Sequence, residues 1–320
     1  MSRAESTLRH RPGRAVAAAF SPVAADWLQA AIPSAAGTSR KPAVVHDLRT
    51  ASKRARALVR LFGAALGQRA RRQENLRLRD AARALAGARD AAVARTLLHK
   101  VRRKHRGRTA AAIAAALRGL GKHPSAALTA EETNAAIARA RATLHATAGK
   151  LRQLQLPAAD ARGGIEAGLR ASYRRSRHQM NQARRGGDAT EYHEWRKLTK
   201  RLCYQLQFPG LTKSKRGRRL DRRLDELQER LGAEHDTQLV MALLRATPTR
   251  FGTAEQTTRT VAVLEQRAAK QRARCLRLGA SVFAGKPADF ARCVRRWLRR
   301  RESRRGVPAP EPDGHRPTQA

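Results

Sequence analysis

Acidic residues are scarce. The chain sets 25 Asp and Glu against 68 Lys and Arg, a formal charge of +43 over 320 residues. A compact chain with that imbalance repels itself unless anions offset the charge, so a polyanionic partner is the economical inference. Nucleic acid, inorganic polyphosphate and an anionic lipid surface all qualify. Long apolar runs are missing too: no stretch of about 18 apolar residues occurs, so no membrane span is expected. The opening segment, MSRAESTLRHRPGRAVAAAFSPVAADW, starts basic, but Ser21 and Pro22 interrupt its apolar run before it forms the core of a secretion signal.

Aromatic residues make up 4% of the chain, and Trp27, Trp195 and Trp297 are too scattered for a base-stacking platform, so each is expected in a core. Cys203, Cys275 and Cys293 are odd in number and lack C-x-x-C spacing, which indicates neither a zinc site nor a disulfide framework and fits a reducing cytoplasm. No phosphate-binding loop, nucleophile with an adjacent base, or acidic metal-binding cluster is visible. The expectation is a protein that is not an enzyme and has no cofactor or metal.

What the chain has in quantity is arginine, 56 of its 68 basic residues, and the planar guanidinium fork suits phosphate oxygens better than a point charge does. Ala, Leu, Arg and Gln dominate and β-branched alternation is absent, so an all-α fold is expected. Helices are predicted at roughly 14–31, 43–66, 69–86, 89–119, 128–154, 161–186, 189–207, 215–232, 234–246, 254–281 and 287–301. Residues 1–13 read as a disordered basic arm, and 302–320, with Pro308, Pro310, Pro312 and Pro317, as a disordered tail.

Two of these helices carry related patterns. In VHDLRTASKRARALVRLF (45–62), at about 100° per residue from His46, the residues Arg49, Lys53, Arg56 and Arg60 share one stripe. Leu48, Ala51, Ala55, Leu58, Val59 and Phe62 fall opposite, as on a helix buried along one face. In YHEWRKLTKRLCYQLQF (192–208), His193, Arg196 and Lys200 repeat the stripe, with Lys197 and Arg201 on its flank and Trp195, Leu198, Leu202 and Leu206 on the core side. Cys203 and Gln207 stand where Arg56 and Arg60 would be, so the second stripe is shorter. Downstream of each, LAGARDAAV (85–93) and LGAEHDTQL (231–239) align at nearly the same offset, Leu85 on Leu231, Arg89 on His235 and Asp90 on Asp236. A near-constant offset over separate motifs indicates an internal duplication with its boundary near Pro157. Asp90 and Asp236 are expected to orient neighbouring Arg or His groups, since carboxylates repel phosphate.

At these residues the chain resembles the CHAD family, the conserved-histidine α-helical domain. The resemblance rests on H-x-x-R-x-x-x-K-R at His46 to Arg54, H-x-x-R-K-x-x-K-R-L-x-Y at His193 to Tyr204, the two Leu-to-Asp segments, YRRSR at Tyr173 to Arg177, and the ending VFAGKPADFARCVRRWL. It extends over about 14–301. It implies two four-helix bundles related by approximate twofold symmetry, about 14–156 and 157–301, whose basic residues bind inorganic polyphosphate. Ser176 stands where the family often has Gly, and Cys203 where it often has Arg. An E-x-E-x-K strand, which marks the triphosphate-tunnel domain often attached to this family, is not found, so no triphosphatase activity is implied.

Polyphosphate offers no bases to read, so its affinity must come from many charge-assisted contacts. The candidate residues are His46, Arg49, Lys53, Arg54, Arg56 and Arg60 on the first basic helix, and His193, Arg196, Lys197, Lys200 and Arg201 on the second. Arg174, Arg175 and Arg177 join them from the helix before it. The run KSKRGRR (213–219) reads as a flexible basic loop that contacts any polyanion. The expected function is polyphosphate binding, in the cytoplasm and at polyphosphate granules; the alternative is a nonspecific nucleic-acid-binding basic helical protein.

Overall fold

The computed structural model describes residues 22–33, 41–85, 89–121, 129–154, 158–208 and 214–305, with the backbone alone at 41–42, 89–92, 158–161 and 300–305. Among these residues the secondary structure is helical throughout. Helix α1 spans 22–29. It is followed by α2 (Lys41–Leu61), α3 (Gly63–Leu66), α4 (Gln68–Ala84), α5 (Arg89–Arg102), α6 (Gly107–Gly121) and α7 (Ala130–Gln153). The remaining elements are α8 (Ala158–Gly186), α9 (Ala189–Leu206), α10 (Lys215–Ala246), a short 3₁₀ turn (Pro248–Phe251), α11 (Ala254–Val282) and α12 (Pro287–Arg305). The predicted 1–13 arm lies outside the described residues. So do residues 306–320 of the predicted tail, while α12 continues to Arg305.

Local chemistry explains most of the boundaries. Thr129 caps α7 and Thr253 caps α11, each through a reciprocal capping box with Glu132 and Gln256. The Asp188 carboxylate accepts from the Glu191 N–H to start α9, after Gly187 has turned the chain with φ +67°. Three boundaries depart from the expectation. The stretch 89–119 is two helices, broken before Gly107 at φ +56°, and the first basic helix ends at Leu61 with a short α3 after it. The two helices expected over 215–246 form one, with Gly232 retained inside it. The run KSKRGRR is not a loop from Lys215 onward: Ser214 accepts from the Gly217 N–H and opens α10. Lys213 lies outside the described residues.

Helix starts repeat along the chain. Gln68 and Gly107 open α4 and α6, and Lys215 and Ala254 open α10 and α11, each 147 residues on. The hydrophobic interior, however, does not divide at Pro157. A main core joins Leu48 and Leu58 of α2, Phe62 just after it, Leu78 of α4 and Leu144 of α7 to Leu169 of α8, Trp195 and Leu202 of α9, Leu224 and Leu227 of α10 and Leu298 of α12. A smaller core joins Leu98 of α5 and Ile113 of α6 to Val240, Met241 and Leu244 near the end of α10 and Leu264 of α11. Each core therefore draws helices from both halves, and α10 and α11 run through both.

Burial along α2 follows its pattern: Leu48, Ala51, Ala55, Leu58 and Val59 are all buried, as is Phe62 just beyond its end. On α9 the same holds for Trp195, Leu202 and Leu206, whereas Leu198 is only half-buried. Trp297 is buried as expected, and Trp27 is half-buried against the main core. No helix among the described residues is long and apolar enough to cross a membrane.

An arginine-lined groove as the candidate functional site

Helix α2 packs against α4, α8 and α9, and a groove of about 550 Å³ opens where they meet. Seven guanidinium groups line it: Arg56 and Arg60 from α2, Arg71, Arg72 and Arg79 from α4, Arg175 from α8 and Arg201 from α9. Among the described residues its lining holds no carboxylate. Small residues let the helices come close enough to bring these groups together. A side chain at Gly168 of α8 would stand 3.1 Å from the Leu61 Cδ1 and 3.2 Å from the Leu61 carbonyl oxygen. One at Gly63 would meet the Arg71 Cδ at 2.6 Å.

Crowding raises the electrostatic cost of the free groove. Burial pushes the Arg60 guanidinium down to about 10, helped by Arg56, Arg175 and Arg71. Arg201 is pushed down to about 9 by burial and then by Arg60, Arg175 and Arg56, with Glu194 opposing. Arg56 is lowered by burial, Arg79 and Arg83, against a partial offset from Asp80. Guanidinium groups remain charged at neutral pH. The shifts therefore register repulsion and lost hydration that a bound anion relieves.

The other expected site residues are placed differently. Arg49 Nη1 donates to the Ala82 carbonyl at 3.2 Å and so ties α2 to the last turn of α4. Lys53 is half-buried on the same stripe, and His46 and Arg174 are exposed. Arg54 lies over Trp27 at 5.5 Å and over Tyr204 at 6.0 Å, and Lys200 lies over Tyr204 at 5.6 Å. Arg177 Nε donates to the Phe283 carbonyl at 3.1 Å, closing the end of α11. Lys197 pairs with Glu194 at 2.6 Å on the surface. Arg196 runs beside Gly232 of α10.

Thus the two basic stripes differ in company. Arg56 and Arg60 face other arginines, while Asp221 and Asp225 of α10 share the surroundings of Tyr204 and Cys203 with Arg196 and Lys200. Burial raises both carboxyl groups, and Asp221 and Glu229 raise Asp225 further. Cys203 is fully buried, so the place occupied by Arg56 in the first copy faces the core in the second. Ser176 also has a role in the packing: its hydroxyl is 3.1 Å from that of Thr199, joining α8 to α9 in a buried contact.

His193 and His235 meet with their Nδ1 atoms 3.1 Å apart and ring centroids 4.4 Å apart. Burial lowers His193, followed by Lys197 and Arg196, with Glu194 opposing. A folded-state histidine lowered below its unfolded value of 6.5 binds fewer protons than the unfolded chain, so it costs stability as pH falls through about 6.5. The loss levels off below the folded value. His193→Gln is expected to remove this part of the decline in urea-unfolding free energy between pH 7 and 5. Because the raised Asp221 and Asp225 contribute with the opposite sign, the difference between variant and wild type isolates the histidine. Parallel pH profiles for the two proteins would refute this assignment. Asp236 is half-buried on α10, and the side chains of Arg89 and Asp90 lie outside the described residues.

Sequence reasoning missed Arg71, Arg72 and Arg79. The signal was present in QRARRQENLRLRD (68–80), a basic helix joined to the first motif helix by a short connection. Comparison with family models gives a match to the CHAD domain over residues 19–245. The chain belongs to the CHAD family. The match covers both basic helices and both Leu-to-Asp segments, and the arginine groove lies wholly inside the CHAD span, while α11 and α12 lie beyond it. Neither the curated proteins nor the solved structures provide a match.

Proposed function

We propose that this CHAD protein binds inorganic polyphosphate in the arginine groove and performs no chemistry on it. One observation carries the reading: seven guanidinium groups share a groove whose described lining holds no carboxylate. Polyphosphate binding is known for some CHAD members. A flexible chain of phosphates satisfies forked donors from four helices at once, and each charge-assisted contact also relieves repulsion between its neighbours. Among the described residues no aromatic ring lines this groove, which suits a ligand without bases. In the same reading α2 and α9 are symmetry mates of two four-helix bundles, and binding takes the protein to polyphosphate granules.

The test is competition binding with long-chain polyphosphate and duplex DNA, matched by phosphate concentration at physiological salt. Polyphosphate is expected to bind more tightly, and incubation with it and divalent metal to release no orthophosphate. DNA binding as tight as polyphosphate at matched salt would move the reading to nonspecific nucleic-acid binding. Phosphate release abolished by changing one acidic residue would make the protein an enzyme.

A further inference from the structure

A second cavity, of about 370 Å³, opens where α8, α10, α11 and α12 meet, and its chemistry differs from that of the groove. One wall is aromatic: Tyr173 stacks on Phe290 with centroids 4.4 Å apart, and Phe290 meets Trp297 edge-on at 6.4 Å. The Tyr173 hydroxyl donates to the Gly285 carbonyl at 3.1 Å, which fixes that wall. The opposite side is basic, with Arg216, Arg219 and Arg223 in the lining. Their spacing places all three on one face of α10.

Among the described residues no carboxylate pairs with these three arginines. They also occupy the opening turns of a 32-residue helix whose first turn holds no acidic residue. Cations at that end oppose the helix dipole as well as one another. An anion at the cavity mouth would offset both effects. The one carboxylate in the described lining, Asp289, is already engaged by Arg292 and by the Lys286 N–H.

A cavity of this size falls within the usual range for small-molecule sites, about 300–1,000 Å³. A bare phosphate chain would leave the aromatic wall unused, and an uncharged ring would leave the arginines uncompensated. We propose that this cavity is a second ligand site, independent of the groove, which takes the base of a nucleoside di- or triphosphate against Phe290 and Trp297. The phosphates lie on Arg216, Arg219 and Arg223.

The test uses the full chain, with ATP as the probe and tripolyphosphate as the baseless control, followed by equilibrium dialysis and tryptophan fluorescence. ATP is expected to bind about tenfold or more tighter than tripolyphosphate. Ser281→Phe fills the cavity from an exposed position without changing charge. It is expected to weaken ATP about tenfold while leaving long-chain polyphosphate within about threefold of wild type. Changing Arg216, Arg219 and Arg223 together to alanine should weaken ATP far more than the same change at Arg103, Arg106 and Arg108, three exposed arginines around the α5 to α6 turn. Tripolyphosphate binding as tightly as ATP would overturn the proposal, and so would an unchanged ATP affinity in Ser281→Phe. Because long-chain polyphosphate is measured on the same variants, failure of this site is distinguishable from failure of the groove.

Discussion

Changing Arg60 and Arg201 together to methionine is expected to lower polyphosphate affinity at least about a hundredfold, because each lost charge-assisted contact is worth roughly 1.5–3 kcal/mol. Methionine keeps much of the apolar stem while removing the charge. The same change at Arg103 and Arg106, exposed and outside the groove lining, removes equal charge and should cost far less, since a diffuse field is screened by salt. Stability should move the other way. Arg60 and Arg201 are pushed down by burial and by neighbouring arginines, so losing two like charges relieves repulsion in the free protein. The expected signature is weaker binding with an unchanged or higher melting temperature. Removing Arg49, Lys53, Arg196 and Lys200 takes away twice the charge but is expected to cost less affinity than the groove pair. Equal losses from the groove and exposed pairs, both folded by circular dichroism, would mean that binding is diffuse.

Trp195→Ala is expected to have the largest effect on stability, about 3–5 kcal/mol, the range for removing a large aromatic side chain from a core. Trp195 is fully buried, and its ring packs so closely on α11 that a Cβ at Gly279 would stand 2.6 Å from it. Met180 of α8 closes the same contact. Urea unfolding at neutral pH measures the loss, and a cost below about 1 kcal/mol would show that the site collapses around the smaller residue. Since Trp195 fixes α9, the helix that presents Arg201, polyphosphate affinity should fall as well, although no charge has changed.

The sequence made the helices, the buried face of α2 and the duplication legible because each is a local or periodic property. Leu48, Leu58 and Phe62 repeat at helical spacing, and the two motifs repeat at nearly one offset. How the basic helices assemble laterally was not legible. Arg56 and Arg60 lack counterparts in the second stripe, yet they line the groove. Arg201, on the flank of its helical wheel, lines the same groove because α9 packs against α2. Arg177, a candidate from its neighbours in sequence, also donates to the end of α11, over a hundred residues away. Such a contact leaves no trace in local spacing.

The sharing of α10 and α11 between two cores has a consequence for synthesis on the ribosome. The apolar faces of α5 and α6, with Leu98 and Ile113, are covered by Val240, Met241, Leu244 and Leu264, which are translated more than a hundred residues later. At about 5–20 residues per second, those faces stay uncovered for roughly 5–30 s while the rest of the chain is made. The nascent first half thus carries both an open apolar surface and a surplus of arginine in a cell full of ribosomal RNA. An abundant polyanion that occupies the basic helices early would shield the unfinished chain during that interval.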